Sequence, residues 1–445
     1  MTKKFSVGAL MSFCPPAWLA RNDRQHGGDW WTGEFYVDTV QRFEKAGMDY
    51  VFFLDTQAVR VDDSGSMADA LRMAVTAPSQ DPIPLLAQLA AATERIGLIG
   101  TASTTFYPPY LLARLLSTLD SMSKGRIGWN IVMSFEKSEA QNYGFDTLPD
   151  HDERYERAEE YVDLVRALWE SWEPGSLLRD EASETYVDPD RVHRIDFVGE
   201  HYTSTGPLNV VRSPQGVPFL AQAGASPRGR QFAAKNAELI FVPVSDGMVQ
   251  KLRADRDDLR KLAHDSGRNP DSIKTVFPAS VIFTEQQWKP GDGIPASDLQ
   301  VTAAVTWLSQ SIDMDLSVYP LDEPLPAGIE PSGIRSMSEP FHEMARVMPL
   351  RDAILHARYG AGDLNFFGTP EQVAQKLIEF VDAVGGDGVI LPVSYESNAE
   401  YIDKITNELL PALRAAGVLE EPAEPGTTLR EHFFGAGALP PHATA

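Results

Sequence analysis

Cysteine is almost missing from this chain: Cys14 is the only one in 445 residues. A single thiol excludes an internal disulfide framework and a cysteine-only metal cluster, and it suits a reducing compartment such as the cytoplasm. Basic residues are scarce too, 39 against 63 acidic ones for a formal charge of −24, with no long basic stripe. That balance disfavours a nucleic-acid partner. No apolar run reaches the roughly 18 residues that a membrane span requires. The opening MTKKFSVGALMSFCPPAWLA has lysines ahead of a short apolar stretch, but prolines end it early, so it reads as a strand and not as a signal sequence. A soluble, cytoplasmic protein is expected. Catalytic signatures are missing as well. None of the nine histidines falls in H-x-H or H-E-x-x-H spacing, no G-x-S-x-G elbow occurs, and no G-x-G-x-x-G follows the first strand. A metal site and a nucleophile-elbow hydrolase are therefore disfavoured.

What is present is a repeat. Apolar runs too short for independent helices fall at 5–12, 49–55, 96–104, 126–134, 217–224, 238–244, 274–284 and 388–394, and read as strands. Helical spacing covers 33–47, 82–95, 109–122, 151–172, about 246–265, 369–383 and 397–416. Strands that are apolar on both faces and alternate with helices indicate a parallel sheet. Eight such repeats suggest closure, so the expected class is α/β, a (β/α)8 TIM barrel with insertions in a single domain over residues 1–420. An open doubly wound sheet is the competing fold, but it lacks its glycine fingerprint here. Residues 173–216 read as a surface excursion with a hairpin, 285–365 as an insertion with helical pieces, and 421–445 as an arm lying on this subunit or a neighbour.

In such a barrel the working residues stand at the C-terminal ends of the strands. Those ends offer Cys14 and Trp18, then Asp55, then Thr101, Ser103 and Thr104, then Asn130, Ser134 and Phe135, then Gln222, Gly224 and Ser226. The fifth end carries the strongest signal. VPFLAQAG stops at Gly224, and a helix starts behind Ser226, which can cap it. Glycine permits close backbone approach, and the free N–H groups of a helix's first turn favour an anion, so the arrangement suits a cofactor phosphate. An ordinary capped turn is the plain alternative. In the same way Asn130 could serve barrel backbone, His151 could cap the charged helix, and Tyr155 could be a core ring.

Three blocks carry a family resemblance: TERIGLIGTASTTFYPPYLLARLLSTLDSMSKGRIGWNIVMS (93–134), HDERYERAEEY (151–161) and GPLNVVRSPQGVPFLAQAGASPRG (206–229), with GTPEQVAQKLIEFVDAVGGDGVILPVS following later. In these the chain resembles the bacterial luciferase-like flavin monooxygenases, the group with nitrilotriacetate, EDTA, dibenzothiophene sulfone and long-chain alkane monooxygenases. The resemblance implies a barrel with a large insertion before its last unit and FMN lying across the strand ends. Carried over by motif, Asp55 and Thr101, with Ser103 near them, meet the isoalloxazine side and Asn130 bonds the ring. His151, Tyr155 and Ser226 hold the phosphate, with Gly224 and Ala225 giving close backbone approach. It also implies a two-component reaction in which a separate NAD(P)H:FMN reductase supplies FMNH2, which reacts with O2 at C4a to give the peroxide that oxygenates a small substrate. A homo-oligomer, dimer or tetramer, is expected from the same resemblance, and no metal, nucleic-acid or membrane partner from the spacing, charge and run lengths above.

No side chain is singled out as catalytic. Candidates for the substrate pocket are Cys14, Trp18, Phe52, Phe135 and Ser311. The chain departs from the family there: PPAWLARNDRQHGG replaces the usual A-W-R-H-P stretch, Met133 stands where threonine is common, and Phe135 where the alkane enzyme has histidine. Those exchanges favour an organosulfur or other apolar substrate over a polycarboxylate. A deazaflavin-dependent hydride-transfer enzyme of the same superfamily, a flavin carrier without catalysis and, last, a metal-dependent barrel hydrolase remain open at this point.

Overall fold

The computed structural model describes residues 3–15, 29–59, 61, 66–75, 77–134, 136–146, 148–224, 226–242, 249–284, 298–312, 314–330, 335–359, 365–393 and 399–441. Eight parallel strands close into a barrel: β1 Ser6–Ser12, β2 Tyr50–Leu54, β3 Gly97–Ser103, β4 Ile127–Val132, β5 Phe219–Ala223, β6 Leu239–Phe241, β7 Lys274–Pro278 and β8 Gly388–Pro392. Each strand pairs with its neighbours in chain order, and β8 closes on β1 with Val7 opposite Val389. This is the TIM-barrel class expected from the eight apolar runs.

Alternation explains why those runs are apolar throughout. Tyr50, Phe52, Ile99, Phe219, Ala221, Leu239, Val276 and Ile390 fill the barrel interior. Their neighbours Val51, Phe53, Leu98, Trp129, Leu220, Ile240, Phe277 and Val389 point outward into the layer shared with the helices. The helices that matter for the site are α1 Glu34–Ala46, α2 Pro82–Ala92, α3 Pro109–Met122, α4 His151–Glu170 and α5 Pro227–Asn236. Local chemistry sets their ends. Gly47 closes α1 at φ 80°, a left-handed cap that glycine adopts without strain, and Asp81 caps α2 by accepting from the Ile83 N–H behind Pro82.

The expected seventh strand is broken in two. Lys274–Pro278 belongs to the barrel, whereas Ser280–Phe283 leaves it and pairs in parallel with Asn365–Gly368. Apolar residues lie on both sides of the break, at Val276 and Phe277 and again at Val281, Ile282 and Phe283, so the segment reads as one strand. That outer pair frames the insertion, whose helices α6 Asp298–Ser311, α7 Arg335–Ala345 and α8 Leu350–Tyr359 bury a cluster of their own around Leu308, Phe341 and Ile354. Ala303 and Trp307 of α6 also pack on Met73 and Val75, behind the loop that follows β2. The insertion thus leans on the loops at the C-terminal mouth. At the opposite end a short helix, Leu429–Phe434, enters below the barrel, and Phe433 stacks on Phe219 with ring centroids 5.3 Å apart. The tail therefore lies on its own barrel. The surface excursion contains the expected hairpin, with Phe197–Val198 antiparallel to Thr203–Ser204.

Candidate active site

Strand direction decides which polar groups face the barrel axis. Ile99 is interior, so Thr101 and Ser103 on the same strand also face inward, as does Asn130, the register partner of Thr101. Asn130 Nδ2 donates to Thr101 Oγ1 at 2.8 Å, and that hydroxyl donates to the Phe53 carbonyl at 2.7 Å. So Asn130 serves a side chain and not barrel backbone. Its Oδ1 is buried without any partner, an acceptor waiting for a donor. Ser103 accepts from the Ser134 hydroxyl at 2.9 Å and from the Thr105 N–H at 3.1 Å. Gln222 departs from the expected ring: it follows the outward Leu220 by two residues, so it sits in the barrel-to-helix layer.

The fifth strand end forms a cradle. Ser226 has extended backbone angles and accepts from the Gly229 N–H at 3.0 Å, capping α5 behind Pro227. His151, the first residue of α4, brings Nε2 to 3.4 Å from Ser226 Oγ, and its ring lies 5.0 Å from that of Tyr155. Both glycines are needed for this approach. A Cβ on Gly229 would come within 2.7 Å of the Tyr155 hydroxyl, and one on Gly224 within 3.1 Å of the Gly229 carbonyl. Burial pushes the Tyr155 phenol above its usual range, so it stays a neutral donor. Arg154 ties cradle to ring, since its Nη1 donates to the Ser134 carbonyl.

The rim beyond β2 is acidic and aromatic. Gln57 Nε2 donates to Asp55 Oδ2 at 2.7 Å, and the Gln57 backbone N–H donates to Glu139 Oε1 at 2.9 Å. The Gln57 carbonyl accepts from Asn142, and Tyr143, which donates to the Gln57 side chain, stacks on Phe106 with centroids 4.3 Å apart. Burial raises Asp55 to about 6; Gln57 opposes the rise and Asp81 adds to it. Burial likewise raises Glu139 to about 7, opposed by the Gln57 N–H and helped by Glu136 and Asp55. The charges that act on this pair are all negative.

The structure therefore places Thr101, Ser103 and Asn130 at the ends of β3 and β4, and His151, Tyr155, Gly224 and Ser226 in the cradle beside β5, with Arg154 and Ser134 between the two groups and Asp55 past the end of β2, bonded to Gln57. The pocket candidates are differently placed. Cys14 is buried, with the Tyr36 hydroxyl accepting from its N–H at 3.0 Å; Phe52 belongs to the interior layer; and Ser311 donates to the Trp307 carbonyl within α6 at 2.8 Å. Trp18, Phe135 and Ala225 lie outside the described residues. Sequence reasoning missed Gln57, Glu139 and Tyr143. Gln57 lies only two positions past Asp55, but its partners come from beyond β4, and no spacing rule joins the two loops. The donor set suits a mononucleotide: hydroxyl, imidazole and phenol groups beside a helix N-terminus at one end, and a buried orphan acceptor for a ring N–H at the other.

Residues 18–387 match the family model described as luciferase-like monooxygenase. The chain is 33% identical over 424 residues to dibenzothiophene-sulfone monooxygenase of Rhodococcus erythropolis, covering 91% of this chain and 90% of that one. It is 35% identical over 412 residues to dimethyl-sulfide monooxygenase of Hyphomicrobium sulfonivorans, covering 89% and 83% respectively. Among solved structures, riboflavin lyase with modified FMN and riboflavin superimposes with a TM-score of 0.82 at 30% identity, over 98% of this chain and 96% of that one.

Proposed function

We propose, for a chain that belongs to the luciferase-like monooxygenase family, that it takes reduced FMN from a separate NAD(P)H:FMN reductase and uses O2 to oxygenate a small, uncharged organic substrate, organosulfur compounds foremost. One observation carries this reading: the helix cap at Ser226 and the buried, unpartnered Asn130 Oδ1 stand at the neighbouring ends of β5 and β4, offering anchors for both ends of a flavin mononucleotide. When bound, reduced FMN would supply the electrons that activate O2. The remaining work belongs to the chain.

Ser226, His151 and Tyr155 would hold the phosphate at the start of α5, where the helix dipole favours an anion. Thr101 orients the Asn130 amide so that its oxygen can accept from the ring. Phe52 and the interior layer beneath keep water from entering through the barrel, and the aromatic pair Phe106 and Tyr143 screens the rim. Glu139, at about 7, can hold a proton near neutral pH, while Asp55, at about 6, is mostly ionised there. Because the charges acting on that rim are negative, it repels a polycarboxylate and admits a neutral molecule. The two relatives named for a sulfone and a sulfide agree with that preference.

The test supplies chemically reduced FMN and labelled O2 with a panel of sulfones, sulfides, alkanes and aminopolycarboxylates, and follows label into product. Labelled sulfur or alkyl product is expected; O2-independent hydride transfer, or flavin binding with no turnover of any compound, would overturn the reading. For the cradle, Ser226→Ala combined with Tyr155→Phe is expected to weaken FMN binding by about 2–4 kcal/mol, the range for losing charge-assisted hydrogen bonds. An unchanged affinity places the phosphate elsewhere.

A further inference from the structure

Gln57 uses every polar group it has, and its main chain and side chain serve different ends. The backbone N–H donates to Glu139 Oε1 and the carbonyl accepts from Asn142 Nδ2, each at 2.9 Å, which ties the loop after β2 to the short helix Lys137–Asn142 beyond β4. Any residue but proline offers those two groups. The side chain is what requires glutamine: Nε2 donates to Asp55 Oδ2 at 2.7 Å, and Oε1 accepts from the Tyr143 hydroxyl at 2.5 Å. Because β3 lies between β2 and β4, this bracket crosses the end of β3, where Phe106 stacks on Tyr143 with the two rings 6° from parallel.

An amide can point either way round, and the neighbours of this one decide which. Burial, with Asp55, Asp81 and Glu139 nearby, raises the Tyr143 phenol above its usual range, so it stays protonated and donates. The Gln57 oxygen is thereby turned to Tyr143 and the NH2 group to Asp55. Burial acts most strongly on Asp55 and Asp81 adds to it; the Gln57 amide is the larger of the two groups that oppose them, the Thr56 backbone being the other. Asp81, the Tyr107 phenol, Tyr143 and Glu139 are the titratable groups acting on Asp55 among the described residues, and none brings a positive charge.

We propose that Gln57 is a positioning residue: its amide, oriented by the Tyr143 phenol, fixes the Asp55 carboxylate at the rim, while the main chain of the same residue holds Glu139 independently. Two carboxyl groups are thus set from one position by separate means, one removable by substitution and the other not. That Asp55 meets the flavin ring rests on the function proposed above; that Gln57 sets Asp55 does not.

Carbon-13 carboxyl NMR titration of the full chain without flavin, with the two resonances assigned from Asp55→Asn and Glu139→Gln, tests this. Gln57→Met keeps the length and loses both side-chain bonds. The Asp55 midpoint is expected to rise from about 6 by about one pH unit or more, the scale of a lost hydrogen bond to a charged group, with the Glu139 midpoint moving far less because its donor is backbone. Gln57→Glu, the second variant, keeps the acceptor for Tyr143 but sets a carboxylate against Asp55, and is expected to raise that midpoint further. A merely structural Gln57 would lower stability and leave the Asp55 midpoint where it is. An Asp55 midpoint that neither substitution moves, or that moves no more than that of Glu139, overturns the proposal. FMN titration of wild type and Gln57→Met across the same pH range separates this from the flavin reading: if Asp55 meets the ring, the pH at which FMN affinity changes is expected to move with Asp55. If Asp55 moves and FMN affinity ignores it, Gln57 still positions Asp55, and it is the placement of the ring that fails.

Discussion

Asp55 and Glu139 are carboxyl groups that the fold holds where water would serve them better. Both rise because burial disfavours the charged form, Asp55 from 3.8 to about 6 and Glu139 from 4.5 to about 7. A carboxyl whose folded value lies above its unfolded one supports the fold fully below the unfolded value, and that support fades as pH rises through the folded value. For Asp55 the window is pH 3.8 to about 6, and for Glu139 pH 4.5 to about 7. Asp55→Asn removes the first titration. The flavin-free variant is therefore expected to match wild type near the lower end of that window and to exceed it by about 1–3 kcal/mol under mildly alkaline conditions, since each pH unit between unfolded and folded values corresponds to about 1.4 kcal/mol. Thermal unfolding across that range reads it; a difference independent of pH would mean that Asp55 is not desolvated. Asp55 was visible in the sequence as the carboxylate closing an apolar run. Glu139 was not, because its burial and its bond to Gln57 exist only once the loops after β2 and β4 meet.

At the scale of an element, the start of α5 does two jobs with one side chain. Ser226 caps the helix through the Gly229 N–H and faces the cradle through the same oxygen. Ser226→Asp separates the two. Aspartate caps about as well as serine and suits the positive helix end, so unfolding free energy is expected to stay within about 0.5 kcal/mol of wild type. Its charge, however, would oppose a phosphate, and FMN affinity is expected to fall by more than about tenfold, roughly 1.4 kcal/mol or more. Unfolding curves and a flavin titration on the one protein check both halves; loss of stability with affinity intact would make Ser226 a cap and nothing else. This element was legible because a strand, a glycine and a capping serine are each local signals. The break after Pro278 was not, because apolar residues continue at Val281, Ile282 and Phe283 while the partner strand changes from β8 to Asn365–Gly368, in a different part of the chain.

At the scale of the whole molecule, the barrel is stopped at the N-terminal ends of its strands by the helix Leu429–Phe434, which brings a buried ion pair and an aromatic stack. Arg430 is 1% exposed and Glu238 2%; Arg430 Nε and Nη2 meet the two carboxylate oxygens at 2.6 and 2.9 Å. The same guanidinium donates to the carbonyls of Gln215 and Val217, and Phe433 stacks on Phe219 at the barrel floor. So dense a set of bonds around one buried cation means that its removal harms the fold mainly by what it leaves behind. Arg430→Met strands the Glu238 carboxylate and is expected to cost about 3–5 kcal/mol. Adding Glu238→Gln keeps the acceptor for the Leu220 N–H, 3.0 Å away, while removing the stranded charge, so the double variant is expected to regain most of the loss. Denaturant unfolding of the two variants measures the difference. FMN affinity in the double variant is expected to equal wild type, since the cradle stands at the opposite ends of the strands. If the double variant unfolds as readily as Arg430→Met alone, the stopper works through its bonds to the backbone carbonyls and not through charge.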